Sequence, residues 1–160
     1  MTTDSPQQQI RQQALQLLSR REYSARELQQ KLAGAHPAEE LAAVLQQLAE
    51  QGLQSDQRFA EVWARHRRTQ GFGPIRIQSE LRQKGISPDQ IQTTLEAEEM
   101  DWFAHASDVW QRRFRGRRER DPRLKAKQIR FLQYRGFTGE QIRHALDSAD
   151  LALPDADALD

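Results

Sequence analysis

The sequence contains no cysteine, which removes disulfide staples, cysteine zinc sites and thiol nucleophiles together. Aromatic residues are scarce, at 7% of 160 residues, and no stretch approaches the ~18 consecutive apolar residues of a membrane span. An apolar N-terminal signal segment is also lacking, so a cytoplasmic location and no membrane partner are expected. Four histidines, His36, His66, His105 and His144, are scattered without an acidic partner at metal-ligand spacing; surface or edge positions, and no metal, are expected for them. The "GFG" at 71–73 lacks both the rest of a dinucleotide fingerprint and the Lys-Ser/Thr of a phosphate loop. No residue stands out as catalytic, and a chain without enzymatic activity and without a cofactor is expected.

What the sequence has in abundance is charge. Only 37% of residues are hydrophobic and 29% are charged, which predicts a thin core under a polar surface. The net charge of +1 conceals an asymmetry. Between Arg112 and Arg135 eleven Lys or Arg stand against Glu119 and Asp121, a local +9; from Gly136 to Asp160 one Arg stands against six acids, a local −5.

Helix punctuation is equally dense. Pro74 has a helical φ and no N–H to leave unpaired, so Gly73-Pro74 opens a helix. Gly85 closes it with Arg82 and Lys84 near the negative end of its dipole. Ser87 caps the next, with Pro88 first in the helix and Gln90 at capping-box spacing. The same spacing recurs. Leu81, Gly85, Ile86, Ser87, Gln90, Ile91 and Leu95 match Leu132, Gly136, Phe137, Thr138, Gln141, Ile142 and Leu146, 51 residues on. Upstream, "EVWAR" (61–65) pairs with "DVWQR" (108–112) and aligns Trp63 with Trp110. A fainter copy opens the chain: Leu18 stands in the tryptophan position, Ser24 and Glu27 form a capping box, and Leu28, Leu32, Leu41 and Leu45 supply an apolar stripe.

These spacings predict an all-α fold of three tandem three-helix repeats forming an elongated curved rod. The expected boundaries are an N-terminal extension at 1–9, repeats at 10–53, 55–98 and 101–147, and a poorly ordered acidic tail at 148–160. Units of about 45 residues bury little surface alone, so they are expected to lean on one another. With helices of ~14 residues spanning ~21 Å, three units end to end would extend on the order of 60 Å. That suits an extended partner. A monomer is the simpler expectation for so polar a surface.

Three readings fit the basic segment: a solvated face, a site for nucleic acid or another polyanion, or a dock for an acidic protein surface. Its density favours the latter two. The candidate binding residues there are Arg112, Arg113, Arg115, Arg117, Arg118 and Arg120. In the middle repeat Arg58, Glu61, Arg65 and Arg68 follow spacings of three, four and three, which places them on one exposed helix face. Arg67, Arg76, Arg82 and Lys84 add to that repeat's positive charge. Phe59, Trp63, Phe103, Trp110 and Phe114 are expected to pack in the core. Short capped helices in three-helix units also resemble helix-turn-helix modules, so an autonomous DNA-binding protein is an alternative.

"SDQRFAEVWARHRRTQGFGPIRIQSELRQKGIS" (55–87) resembles the second repeat of the RecX family, bacterial regulators of the recombinase RecA. "KQIRFLQYRGFTGEQI" (127–142) is similar to that family's third repeat and "LLSRREYSARELQQKL" (17–32) to its first. The resemblance spans roughly residues 10–147. Departures lie in the linker "QSDQRFA" after Leu53, where the family commonly has an acidic pair, and in the acidic end; neither touches the repeat core. The resemblance implies a non-enzymatic protein that lies in the groove of the RecA filament on single-stranded DNA, with weak direct contact to that DNA. It further implies inhibition of strand exchange, ATP hydrolysis and co-protease activity, by blocked filament growth or disassembly, and with it a hand in recombination, DNA repair and the SOS response.

Overall fold

The structure is a computed structural model that describes residues 5–151, with side chains described through Asp147. Among the described residues it contains nine helices and no strand: α1 Pro6–Leu18, α2 Ala25–Leu32, α3 Ala38–Glu50, α4 Asp56–Thr69, α5 Pro74–Gln83, α6 Pro88–Leu95, α7 Trp102–Phe114, α8 Pro122–Arg135 and α9 Gly139–Leu151. The fold is all-α, in three successive groups of three helices. Apart from the last residues of α9, the segment 148–160 read as an acidic tail lies outside the described residues.

Helix starts follow the caps. Ser24 accepts from the Glu27 amide at 3.1 Å while the Glu27 carboxylate accepts from the Ser24 amide at 3.1 Å. Thr138 and Gln141 repeat that exchange at 3.0 and 3.2 Å ahead of α9. At α6 the Gln90 amide donates to the Ser87 hydroxyl at 3.2 Å, and that hydroxyl donates in turn to the Gln90 side-chain oxygen. A further capping box, Ser5 with Gln8, starts α1 at Pro6, within the segment read from the sequence as an extension. Asp101 and Asp121 cap α7 and α8.

The endings of α5 and α8 are copies of each other. Gly85 donates to the Arg82 carbonyl and Ile86 to Leu81, both at 3.1 Å; Gly136 donates to Gln133 at 3.0 Å and Phe137 to Leu132 at 3.1 Å. Both glycines are left-handed, at φ +83° and +99°, as this helix-ending motif requires. Leu81, Ile86 and Ile91 are buried, and so are their counterparts Leu132, Phe137 and Ile142.

The described chain divides into two compact units, residues up to 63 together with 80–94, and residues 64–79 together with those from 95 onward. In the first, α1, α2 and α3 pack on one another around Ile10, Ala14, Leu28, Leu41, Val44 and Leu48. Trp63 donates to the Glu80 carboxylate at 3.0 Å. In the second, α7, α8 and α9 pack together around Ala106, Trp110, Leu132, Phe137, Ile142 and Ala145. Trp110, the repeat partner of Trp63, donates to the Gln128 side chain at 3.0 Å. In the same unit the 71–73 turn is joined to the end of α8, where Gly73 donates to the Arg135 carbonyl at 2.8 Å and Ile75 to Gly136 at 2.9 Å.

Two expectations are corrected. Phe103 is 42% exposed, with its ring edge-on to His144 at 5.4 Å, because α7 turns its apolar stripe through Trp102, Ala106, Val109 and Trp110 instead. His105 lies on that stripe and is buried, whereas His66 and His144 are exposed and His36 is half-buried.

Candidate functional site

Three cations crowd around one phenylalanine of the second unit. Beyond α4 the Phe72 amide donates to the Arg67 carbonyl at 3.1 Å, and Phe72 is half-buried. Three guanidinium carbons stand near the ring centroid: Arg67 at 4.0 Å, Arg76 at 4.2 Å and Arg135 at 4.9 Å. Three like charges on one ring concentrate positive potential. Arg67 is steadied by the Gln70 side chain at 2.7 Å, and Arg135 donates to the Gln70 carbonyl at 3.2 Å.

The pattern continues outward. Arg76 lies 5.5 Å from the ring of Tyr134, which is 72% exposed. Arg135 lies 5.2 Å from Phe131, and Arg113 lies 5.4 Å from Phe131 and 5.3 Å from Phe114. Phe114 and Phe131 meet edge to face at 5.4 Å. Aromatic and guanidinium groups therefore alternate from Tyr134 to Phe114, the combination that holds unstacked bases and a phosphate backbone.

Behind this array His105 packs edge-on to Trp102 at 5.9 Å and against Phe137 at 5.5 Å. Burial pushes its pKa down to about 4, the Arg68 cation adds to that, and a hydrogen bond to the Phe72 backbone opposes it. At neutral pH the ring is uncharged. The Nε of Arg68, the Nε of Arg135 and the Nε2 of His105 are buried without a hydrogen-bond partner among the described residues.

The segment between α7 and α8 carries the rest of the basic patch. Arg115 ends α7 in the left-handed region at φ 54°, the only non-glycine residue there among the described residues; a side chain held in that region is strained unless its surroundings enforce it. Here the enforcement is visible. The Arg117 amide donates to the Phe114 carbonyl at 2.9 Å, and the Arg117 carbonyl accepts from Gln128 at 2.9 Å. Gln128 in turn accepts from the Trp110 indole. A cavity of about 620 Å³ lies beside this segment, lined by Arg113, Phe114, Arg115, Arg117, Leu124 and Lys127, with Glu119 and Gln128 completing the wall.

Of the cations named from sequence, Arg65, Arg67, Arg68, Arg76, Arg112, Arg113, Arg115, Arg117, Arg118 and Arg120 belong to the second unit, and Arg58, Arg82 and Lys84 to the first. Arg65, Arg112, Arg113, Arg115 and Arg120 are exposed. Arg117 is paired with Glu119 at 3.5 Å. The face expected for α4 is corrected in part: Arg58 and Arg65 are exposed, but Glu61 and Arg68 are half-buried.

In the first unit two of the cations named from sequence are committed to neighbouring acids. Arg58 pairs with Glu22 at 2.9 Å and Lys84 with Glu27 at 3.0 Å. Burial alone would raise the pKa of Glu27; Arg21, the Ser24 amide and Lys84 together hold it below its ordinary value.

Sequence reasoning passed over Phe72, Phe131, Tyr134, Arg135 and Lys127. Arg135 and Lys127 were counted in the basic segment without being singled out. Phe72 had a local signal, a lone aromatic between two glycines with Arg67 and Arg76 nearby. Nothing local places Arg135 on the same ring.

Three family models match the chain in order: RecX, first three-helix domain at residues 11–48, second at 55–95 and third at 99–146. The chain belongs to the RecX family. Among its relatives, regulatory protein RecX of Pseudomonas entomophila (strain L48) is 45% identical over 144 residues, covering 89% of this chain and 92% of the relative. Regulatory protein RecX of Halorhodospira halophila (strain DSM 244 / SL1) is 47% identical over 142 residues, 88% of each. A crystal structure of regulatory protein RecX matches at TM-score 0.73 and 26% identity, covering 89% of this chain and 72% of that one. RecX from Lactobacillus salivarius matches at TM-score 0.78 over 91% and 97% of the two chains; at 19% identity it speaks for the RecX fold alone. Among the described residues no helix is long and apolar enough to cross a membrane, and no group of three or more His, Asp or Glu is placed to hold a metal ion.

Proposed function

We propose that this RecX-family chain is a non-enzymatic regulator of RecA that binds the RecA filament on single-stranded DNA and inhibits it by blocking growth or promoting disassembly. The observation that carries the reading is the match of all three RecX domains, in order, across most of the chain. The contact surface is assigned to the second unit, through Arg65, Arg67, Arg76, Arg112, Arg113, Arg115, Arg117, Arg118 and Arg120. Arg68 supports that surface from behind. Arg58 and Lys84, held by Glu22 and Glu27, and Arg82 are secondary contacts at most. The chain acts as a monomer in the cytoplasm, in recombination, DNA repair and the SOS response.

The test adds the purified chain to RecA filaments preassembled on single-stranded DNA, well below one per RecA, and follows ATP hydrolysis. A progressive fall is expected, and Arg112→Glu with Arg115→Glu should weaken it with far-UV helicity unchanged. Inhibition only at amounts that coat the DNA would favour an autonomous DNA-binding protein, the reading to which the alternating arginines and aromatics lend weight.

A further inference from the structure

We propose that the groove between the end of α7 and α8 is a pocket for one nucleotide of a single strand, with its base against Phe114 and Leu124 and its phosphates on Arg113, Arg115, Arg117 and Lys127. This deepens the nucleic-acid part of the reading above and rests on it. The cavity, about 620 Å³, falls within the roughly 300–1,000 Å³ of small-ligand pockets. Its wall carries four cations and the single carboxylate of Glu119, a net +3. Glu119 is turned to Arg117 at 3.5 Å, so its charge offsets part of that one cation and leaves the other three uncompensated at the rim.

The apolar part of the wall suits a base. Phe114 is braced edge to face by Phe131, a fixed platform, and Leu124 is 44% exposed although it is aliphatic. Stacking against such a platform requires an unstacked base, which a single strand supplies and an intact duplex does not. The backbone that carries the cations is held in place before any ligand arrives. Trp110 fixes Gln128, Gln128 fixes the Arg117 carbonyl, and the Arg117 amide is tied to Phe114. Arg115 stands in a left-handed conformation that a glycine would adopt without strain. An arginine there is explained by what its side chain does at the rim.

That conformation also supplies the test. Arg115→Gly removes one phosphate contact while relieving the backbone, so binding and folding separate. With the full chain, without RecA, and a fluorescein-labelled oligo-dT, anisotropy should report binding that weakens with salt. Arg115→Gly should melt no lower than the parent, bind more weakly, and show a log-log salt slope smaller by about 0.7. Leu124→Asp, at an exposed position, should keep its fold and lose about tenfold in affinity. Equal concentrations of dTMP should not displace the strand, because they lack the neighbouring phosphates; displacement would assign the pocket to free nucleotides and overturn the strand. Parental affinity in both variants, or no oligo-dT binding at all, would overturn the pocket while leaving RecA inhibition to be judged by its own assay. Conversely, strand binding that leaves RecA hydrolysis untouched would sink the regulator and spare the pocket.

Discussion

At pH 7 the imidazole of His105 is neutral inside the second unit, and its proton balance has a consequence for stability. Its folded pKa is lowered to about 4, whereas an unfolded histidine titrates near 6.5. Between these values the unfolded chain takes up a proton that the folded chain refuses, so the contribution of His105 is intact above pH 6.5 and is lost progressively as pH falls toward 4. Urea midpoints should decline from pH 7 to pH 5, and His105→Gln should flatten that decline even if it lowers stability throughout. An unchanged slope in the variant would remove His105 as its cause. The burial of this residue was readable in principle. It stands three residues after Trp102 and four before Val109, the spacing of the buried face of α7, but the lack of an acidic partner speaks only against a metal and does not by itself place the ring at the surface. Phe103, the next position round the helix from Trp102, was credited with burial that its angular position denies it.

At the scale of elements, caps and endings were legible because they are local. Ser24, Ser87 and Thr138 each bond within three residues, and the paired glycines at 85 and 136 follow from chain sterics. What α5 meets at its start was not legible. Gly73 approaches the end of α8 so closely that an added Cβ would lie 2.6 Å from the Gly136 carbonyl, and no pattern within either segment announces a neighbour some 60 residues away. Gly73→Ala should therefore break the Gly73–Arg135 and Ile75–Gly136 hydrogen bonds and destabilise by about 1–3 kcal/mol. Gly139→Ala makes the opposite case. Its Cβ meets nothing within 4 Å in the first turn of α9, so a gain of about 0.4–1 kcal/mol is expected. Chemical denaturation of both variants measures the pair, and a Gly73→Ala protein as stable as the parent would show that the two backbones can separate at little cost.

Across the whole molecule the cations divide by what they already hold. The summed charge singles out the segment from Arg112 to Arg135, but composition cannot distinguish Lys84, bonded to Glu27 at 3.0 Å, from Arg113, which has no carboxylate partner among the described residues. Such distinctions arise from tertiary placement, and so does the convergence of Arg67, Arg76 and Arg135 on Phe72. The division predicts separable phenotypes. Lys84→Met should lower stability by about 1 kcal/mol, since its pair is partly shielded from solvent, and leave inhibition of RecA hydrolysis near the parental level. Arg113→Glu should do the reverse. Melting curves and hydrolysis assays on the two variants decide it, and matching losses of inhibition would place Lys84 in the contact surface as well.

The bond from Trp110 through Gln128 to the Arg117 carbonyl makes this indole an optical gauge of the basic segment. If the segment lifts from α8, the bond from Gln128 to the Arg117 carbonyl breaks and water reaches the Gln128 side chain and the indole that donates to it. Its emission would then move to the red. With Trp63 and Trp102 changed to phenylalanine, a single built-in fluorophore would report whether a partner grips the segment as it stands or prises it loose, in real time and without a label.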